Sequence, residues 1–562
     1  MDFEIISADS TIPIETHFKI VAGPGSGKTR FLINHIQNIL HQSQRLGRNK
    51  KIACITYTNT GVETIIKRLP NGHDHVEVCT IHSFLFLHVV KPFLSLISEK
   101  HNINILKVKG PSDHLISGFF KQCVLENKYR LSNADVTKNS FWLIDNDNAC
   151  KLHIKGRIAD MHADLYRYKQ MFWEKGIIHY DDILALSWEI MILHPDVLRV
   201  IRSKFPYIFI DEFQDTSPIQ TKIIKMIAEK ETIIGVIGDS AQSIYSFQGS
   251  DIIQFEEFNL ENNVHYKMED NHRSTVQIID LLNTIRPDIY QKSPKNKQGN
   301  LPTILIGHPL NAVKYIEDSL NLNNEEELYT LSFSNIRANS IRDKIDYTDN
   351  IISETLESIF TNNDSSNERR KIIISIIKAI EYARLSNFKK AIQEINRSSN
   401  QISNERKGLE IIRQLLADYS DFNEQPIQKL YEKILTLNIN IPVISKRKIP
   451  TKIEVFYNSK KYSELVLLIS SQENVGKDRT IHQAKGNEYE NVLVNILPHN
   501  QNYSEKRELG FLLNPDVIAK EDHRVYYVAA SRAMSNLYFC VPSLSPSATN
   551  KLSKLCNIHF LT

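Results

Sequence analysis

The chain has 562 residues, 24% charged and 41% hydrophobic, with a net charge of only +3; that is room for about three or four units of ~150 residues, a globular composition, and no bulk polyanion-binding charge, leaving only a local basic groove. Six cysteines (Cys54, Cys79, Cys123, Cys150, Cys540, Cys556) are scattered with no CxxC pair, which excludes a recognisable zinc site or disulfide framework. No stretch approaches the ~20 apolar residues of a membrane span, and Met1-Asp-Phe-Glu-Ile lacks the basic and apolar parts of a signal peptide, so the expected compartment is the cytoplasm and no membrane partner is expected.

In chain order, a short leader runs to Ile20 and overlaps the β-prone Phe18-Lys-Ile-Val-Ala22. Next comes Gly23-Pro-Gly-Ser-Gly-Lys-Thr29, and then Arg30–Leu40 with apolar residues at helical spacing. Strand, glycine loop and helix form the context of a phosphate-binding loop. Gly23, Gly25 and Gly27, with Pro24 and Ser26 between them, let successive N–H groups turn inward as a nest for phosphate oxygens. The helix start adds unpaired donors and a positive dipole end. Lys28 is the candidate for the β- and γ-phosphates of ATP, and Thr29 for Mg²⁺.

Lys51-Ile-Ala-Cys-Ile-Thr56 and Val76-Glu-Val-Cys79 read as buried strands alternating with helix, which implies a parallel α/β sheet. Tyr57 and His82 follow these strands, where a ligand outside the sheet is within reach; taken alone, each reads better as a packing residue. Residues 91–200 read as mostly helical, with nothing catalytic in them.

Phe205-Pro-Tyr-Ile-Phe-Ile-Asp-Glu-Phe-Gln-Asp215 is an apolar strand delivering two carboxylates at its end. Asp211 suits the metal, and Glu212 suits orienting and deprotonating the attacking water. Thr232–Asp239 is another strand; beyond it Gln242 can sense a γ-phosphate, while Tyr245 and Phe247 either offer faces on which bases stack or pack in the core, the core being the better reading of Phe247 taken alone. Asn271-His-Arg-Ser-Thr275 supplies Arg273, a candidate charge-stabilising finger.

Thr303–Ile306 and Leu328–Phe333 read as strands of a second core, and 346–450 as helical, with Lys446-Arg-Lys448 a solvated basic cluster. After Pro450 the α/β pattern is expected to return, with a strand over Asn491–Ile496. A helix from Arg524 is expected to end near Asn536, before a strand Leu537–Val541, with Arg532 late on that helix. On the residues alone, Arg532 is a helix C-terminal charge favoured by the dipole.

These motifs, seven of them in order across nearly the whole chain, resemble the UvrD/Rep branch of superfamily 1 helicases. The resemblance implies two RecA-like P-loop domains, each interrupted by a mostly helical insertion. The first would comprise 1–90 and 201–280 around a 1B-like insertion at 91–200; the second would comprise 281–345 and 451–562 around a reduced 2B-like insertion at 346–450. It implies that Arg30 and His272 flank adenine and that Glu488 meets the ribose. Gln242, Arg273 and Arg532 would surround the γ-phosphate, and Tyr57, His82, Tyr245, Phe247 and His482 would face or couple to single-stranded or tailed DNA.

Three departures stand out. No Asn-x-x-Gln arrangement for adenine is present upstream of the loop, only Glu15. Phe247-Gln-Gly249 replaces the family's usual Trp-Arg-Gly, which keeps a stacking face but drops a cation. Gly486-Asn-Glu-Tyr489 stands where Gly-Leu-Glu-Phe is usual. The compact length also resembles the helicase half of two-gene anti-phage systems such as Gabija, whose separate nuclease subunit cuts DNA. Two functions follow as expectations: an ATP-driven 3′-to-5′ DNA helicase and translocase, or a nucleotide- and DNA-sensing ATPase subunit that controls a nuclease with little unwinding.

Overall fold

A computed structural model describes residues 3–69, 74–112, 140–145, 148–154, 162–321, 327–345, 355–398, 405–437, 439–444, 449–469, 476–497 and 503–561. The chain divides into two compact units, Met1–Arg273 with Asp288–Lys295, and Ser274–Pro287 with Asn296–Thr562. A boundary at 280/281 therefore falls inside a segment, Ser274–Pro287, that groups with the second unit.

The first unit contains β1 (Glu4–Ile5), β2 (Phe18–Ala22), β3 (Ile52–Thr56), β4 (Val76–Thr80), a hairpin of β5 (Ser140–Ile144) and β6 (Cys150–Ile154), β7 (Tyr207–Ile210), β8 (Ile233–Gly238) and β9 (Val264–Met268). Seven of these form one sheet in the order β1-β9-β2-β8-β7-β3-β4. Every pair in it is parallel. The central strands are continuous apolar runs because both faces are covered. On one face Phe18, Ile20, Phe209 and Ile237 pack under Phe31, Leu32 and Ile36 of helix Lys28–Gln42. On the other, Ile55, Ile210 and Val236 pack with Ile183, Leu186 and Ile190 of helix Tyr180–Leu193. The 1B-like stretch is thus welded to the sheet by a shared core. It also holds the antiparallel β5–β6 hairpin among its helices, which the mostly helical expectation did not include.

The second unit contains β10 (Thr303–Ile306), β11 (Leu328–Ser332), β12 (Asp478–Thr480), β13 (Tyr489–Asn495), β14 (Ala533–Val541) and β15 (Asn557–Phe560), in the order β12-β11-β13-β14-β10-β15. All its pairs are parallel. Its helical insertion has a core of its own, from Leu356 to Ile469. In it Asp364 is buried and doubly bonded by Arg369 at 2.6 and 2.8 Å, and it also accepts from the Tyr457 hydroxyl at 3.0 Å. Helices Lys452–Ser459 and Tyr462–Val466 belong to this core, so the α/β pattern returns at β12 rather than directly after Pro450. Lys446–Lys448 lies outside the described residues.

One element ends earlier than its sequence suggests. Helix Glu521–Ala530 stops well short of Asn536, and the chain turns at Ser531–Arg532 into β14. The Ser531 hydroxyl donates to the Val528 carbonyl at 2.8 Å and takes up one of the terminal acceptors. The next nine residues pair with β13 and β10 on either side, and those ladders outweigh the helix propensity of Ala533 and Met534.

Candidate nucleotide site and nucleic-acid face

In the first sheet all strands point the same way, so their carboxyl ends share one edge, the place where open α/β sheets bind ligands. The candidates of the first unit leave that edge in strand order: His272 and Arg273 after β9, the glycine loop after β2, Gln242 after β8, Asp211 and Glu212 after β7, Tyr57 after β3 and His82 after β4.

The loop has the backbone its glycines allow. Gly25 and Gly27 have φ of +71° and +86°, and Gly27 leads helix Lys28–Gln42 with no side-chain cap and no acidic residue in its first turn. A Cβ on Gly25 would lie 2.5 Å from Asn271 Oδ1 and 2.9 Å from Arg273 Cβ, and one on Gly23 would collide with the Gln291 amide. The Ser26 hydroxyl is buried with no hydrogen-bond partner. An uncapped helix start, a left-handed glycine turn and an orphaned hydroxyl are what an anion of phosphate type would complete. Lys28 Nζ donates back to the Ala22 carbonyl at 3.5 Å. Thr29 is half-buried on the first turn. Exposed Arg30 pairs with Asp9 at 2.7 Å, and the Asn34 amide donates to the Ala8 carbonyl at 3.1 Å, so the leader is docked on this helix.

The neighbouring Asn271–Arg273 loop is tied to the first, in part through Gln291, a residue the sequence did not single out. The His272 N–H donates to the Gly25 carbonyl at 2.9 Å. The Gln291 amide, buried, donates to the Pro24 carbonyl at 2.8 Å and accepts from Asn271 at 3.3 Å. Asn271 Oδ1 in turn accepts from the Arg273 N–H at 3.0 Å. Gln291 lies 267 residues from Pro24 and has no motif around it, so only the fold reveals it.

At the end of β7, Glu212 adopts φ +56°, the left-handed region that a side chain occupies only when its surroundings hold it there. Asp211 is buried, and its Oδ1 accepts the Glu212 N–H at 3.0 Å. The hold on the side chain comes from Gln214, which is fully buried. Its Nε2 donates to the Glu212 carboxylate, and its Oε1 accepts the Asp239 N–H at 2.9 Å. Asp239 accepts from the Gln242 amide and from the Ala241 N–H at 3.1 Å. Glu212, Gln214, Asp239 and Gln242 are therefore one hydrogen-bonded chain from β7 to β8. Gln214 sits inside the Asp-Glu-Phe-Gln-Asp run, and its place two residues after Glu212 was the available signal.

Farther along the edge, the Tyr57 and Tyr245 rings stack at 5.2 Å and 22°, and Tyr245 meets Phe247 at 6.0 Å. Phe247 is 54% exposed and ends the row, so it is not the core residue that it reads as when taken alone. Burial, with a lesser contribution from Asp215, pushes the Tyr57 hydroxyl far above its ordinary range, so it remains neutral. His82 is not in this row; its ring meets Tyr180 edge-on at 6.1 Å.

In the second unit, the candidates occupy two ends of one sheet. His482 follows β12 at the edge where strands end, edge-on to Phe333 at 6.3 Å. Exposed Glu488 precedes β13 and Arg532 precedes β14, where strands begin, and the Tyr489 N–H donates to the Arg532 carbonyl at 3.0 Å. The Arg532 guanidinium is 2% exposed, donating to Val528 O at 3.1 Å, Asn487 O at 3.5 Å and the Ser531 hydroxyl at 2.9 Å.

Sequence comparison matches these two halves. The UvrD/REP helicase N-terminal domain profile covers residues 7–263, and the UvrD-like helicase C-terminal domain profile covers 317–543. The chain belongs to the UvrD/REP helicase family. As a UvrD-like helicase it is an enzyme, an ATP hydrolase. Among similar proteins, the ATP-dependent DNA helicase PcrA of Bacillus subtilis (strain 168) is 24% identical, over 92% of this chain and 80% of that protein. PcrA of Staphylococcus aureus (strain Mu50) is 26% identical over 49% of this chain, and the putative ATP-dependent DNA helicase YjcD of Bacillus subtilis 28% over 50%. For these two the aligned part spans 38% and 37% of the relative. Among the described residues of this UvrD/REP-type helicase, no helix is long and apolar enough to cross a membrane, and no cluster of three or more His, Cys, Asp or Glu is arranged to hold a metal.

Proposed function

We propose that this UvrD/REP-type chain is an ATP-dependent DNA helicase that moves 3′-to-5′ along single-stranded DNA. The observation that carries the reading is the single edge of the first sheet, where the glycine loop, the Glu212–Gln242 chain and the Tyr57–Tyr245–Phe247 row lie in strand order. Phosphates would lie on the Gly23–Thr29 loop with Ser26 Oγ as a donor, and Arg30 and His272 would flank the base. Thr29 and Asp211 would hold Mg²⁺, which supplies charge neutralisation between phosphate oxygens. Glu212 then orients and deprotonates water, while Gln242, Arg273 and Arg532 meet the transferring phosphoryl group and Glu488 the ribose. Base stacking on Phe247 and Tyr245 would give a sequence-tolerant grip, and His82 and His482 would each face or couple to the DNA strand.

The test is ATP hydrolysis with and without single-stranded DNA, beside Lys28→Ala, followed by unwinding of 3′- and 5′-tailed duplexes. Stimulation lost in Lys28→Ala and unwinding of the 3′-tailed duplex alone are the expected results; unwinding of the 5′-tailed duplex would overturn the polarity. A second reading, a nucleotide- and DNA-sensing subunit acting on a separate nuclease in anti-phage defence, draws support from Phe247-Gln248 in place of Trp-Arg. Vigorous DNA-stimulated hydrolysis with no unwinding of either duplex would favour it, and co-purification of a nuclease would identify the partner.

A further inference from the structure

The 1B-like part of the first unit encloses a cavity of about 430 Å³ that the nucleotide edge does not use. Its walls include Trp142, Trp173, Trp188, Tyr166, His101 and Glu189. The chain has three tryptophans, and all three are here. Each has its polar group already satisfied by protein. Trp142 and Trp173 donate to the two oxygens of Asp182 at 3.2 and 2.9 Å, and Trp188 donates to the Asn148 carbonyl at 2.9 Å. Asp182 is fully buried and is held in turn by Lys169 at 2.8 Å and by the His179 N–H at 3.1 Å. The indoles are therefore fixed, with Trp142 and Trp173 stacked parallel to within 9°, and their N–H groups are already spent on protein acceptors.

One wall is a hydrogen-bond acceptor. One Glu189 oxygen lies 2.8 Å from His101 Nε2, and the other accepts from Lys100 at 2.5 Å. Burial pushes its carboxyl up, but those two donors outweigh burial and leave it below the usual value, hence ionised at neutral pH. An ionised carboxylate has about four lone-pair sites, so two bonds do not exhaust it. At the mouth stand exposed Lys100 and the apolar Ile192 and Leu193.

Fixed aromatic faces, one acceptor wall and a volume in the small-molecule range define a ligand that is flat, aromatic and carries N–H donors along one edge. We propose that this cavity binds a nucleobase, guanine foremost, with its ring against the indoles and its N–H edge on Glu189. Guanine presents two adjacent N–H donors on that edge, whereas adenine places a ring acceptor beside its amine. The base comes either from a free guanine nucleotide or from a strand out of which it has been turned.

Because every tryptophan lines the cavity, intrinsic fluorescence reports on it. The full chain carrying Lys28→Ala, which weakens phosphate binding at the other site, is titrated with guanosine monophosphate, adenosine monophosphate and a short guanine-containing oligonucleotide, with absorbance corrected. Saturable quenching by guanosine monophosphate, on the order of tenfold tighter than by the adenine nucleotide, is expected, with Glu189→Gln weakening it by a similar factor. Leu193→Arg at the exposed mouth should weaken it without touching the core. Quenching by the oligonucleotide alone assigns the base to a strand. Quenching by none of the three, or quenching that both variants leave unchanged, overturns the proposal. With Lys28 intact, Glu189→Gln should keep full DNA-stimulated ATP hydrolysis, so this inference and the helicase reading fail separately.

Discussion

In the first unit buried amides tie the parts together: Gln214 joins Glu212 to Asp239, which in turn holds Gln242, and Gln291 holds the glycine loop. In the second unit Arg532 is held by the last turn of the helix before it and by one carbonyl, and Glu488 is exposed. The first arrangement is a framework whose parts position one another before any ligand arrives. The second presents individual charges on the turns that start two adjacent strands. Removing a part from the framework should therefore disturb its neighbours, whereas removing a charge from the second unit should silence chemistry and leave nucleotide binding alone.

The largest effect that sharpens this contrast is expected from Arg532. Arg532→Ala should cut ATP turnover by a factor on the order of a thousand, with ATP affinity nearly unchanged. Near-normal turnover would return Arg532 to a helix-terminal charge. Glu212→Gln comes next, with a loss of about a hundred- to a thousandfold and retained ATP binding, measured by nucleotide titration beside steady-state hydrolysis. Gln214→Leu tests the framework itself. It strips a donor from Glu212 and an acceptor from Asp239, at about 1.5–3 kcal/mol for a buried bond to a charged group. A fall of about ten- to a hundredfold in turnover follows. An unchanged rate would show that Glu212 holds its left-handed conformation unaided.

The last effect is on stability rather than turnover and concerns how helix Lys28–Gln42 is anchored. His35 is buried among Phe18, Phe31 and Phe209 with neither ring nitrogen hydrogen-bonded, and burial lowers its pKa from 6.5 to about 4. The native state keeps it neutral while the unfolded chain takes up a proton below 6.5. Its contribution is thus complete above pH 6.5 and is lost as pH falls toward 4, by about 3 kcal/mol in all. His35→Leu should flatten that acid limb in denaturant melts between pH 7 and 4.5. A slope equal to the parent's would mean that other groups set it.

What the sequence disclosed follows from how far each interaction reaches. The runs Phe18–Ala22 and Thr303–Ile306 are strands at the residues where their apolar, β-branched character puts them. Glycine spacing and the paired acids mark Gly23–Thr29 and Asp211–Glu212 because that chemistry is local. The edge strands β1 and β15 escaped notice since two and four residues with half-exposed patterns carry little periodicity. The helix end at Ala530 was misjudged because the ladder that stops it comes from β13 and β10, elsewhere in the chain. Gln214 could be suspected from its place two residues after Glu212, whereas Gln291 could be read only once the 288–295 segment stood beside the glycine loop.

The order of the first sheet also bears on how the protein is made. Strand β2, which carries the glycine loop, has β8 and β9 as its neighbours, and they end at Gly238 and Met268. Synthesis of about 215 further residues, to the end of β8, at about 5–20 per second leaves β2 unpaired for on the order of ten seconds to a minute. Through that interval the ribosome-bound chain exposes Phe18, Ile20 and the apolar face of helix Lys28–Gln42. The nascent helicase is thus a natural client for chaperones, and its nucleotide cradle closes only after Gln291 has left the exit tunnel.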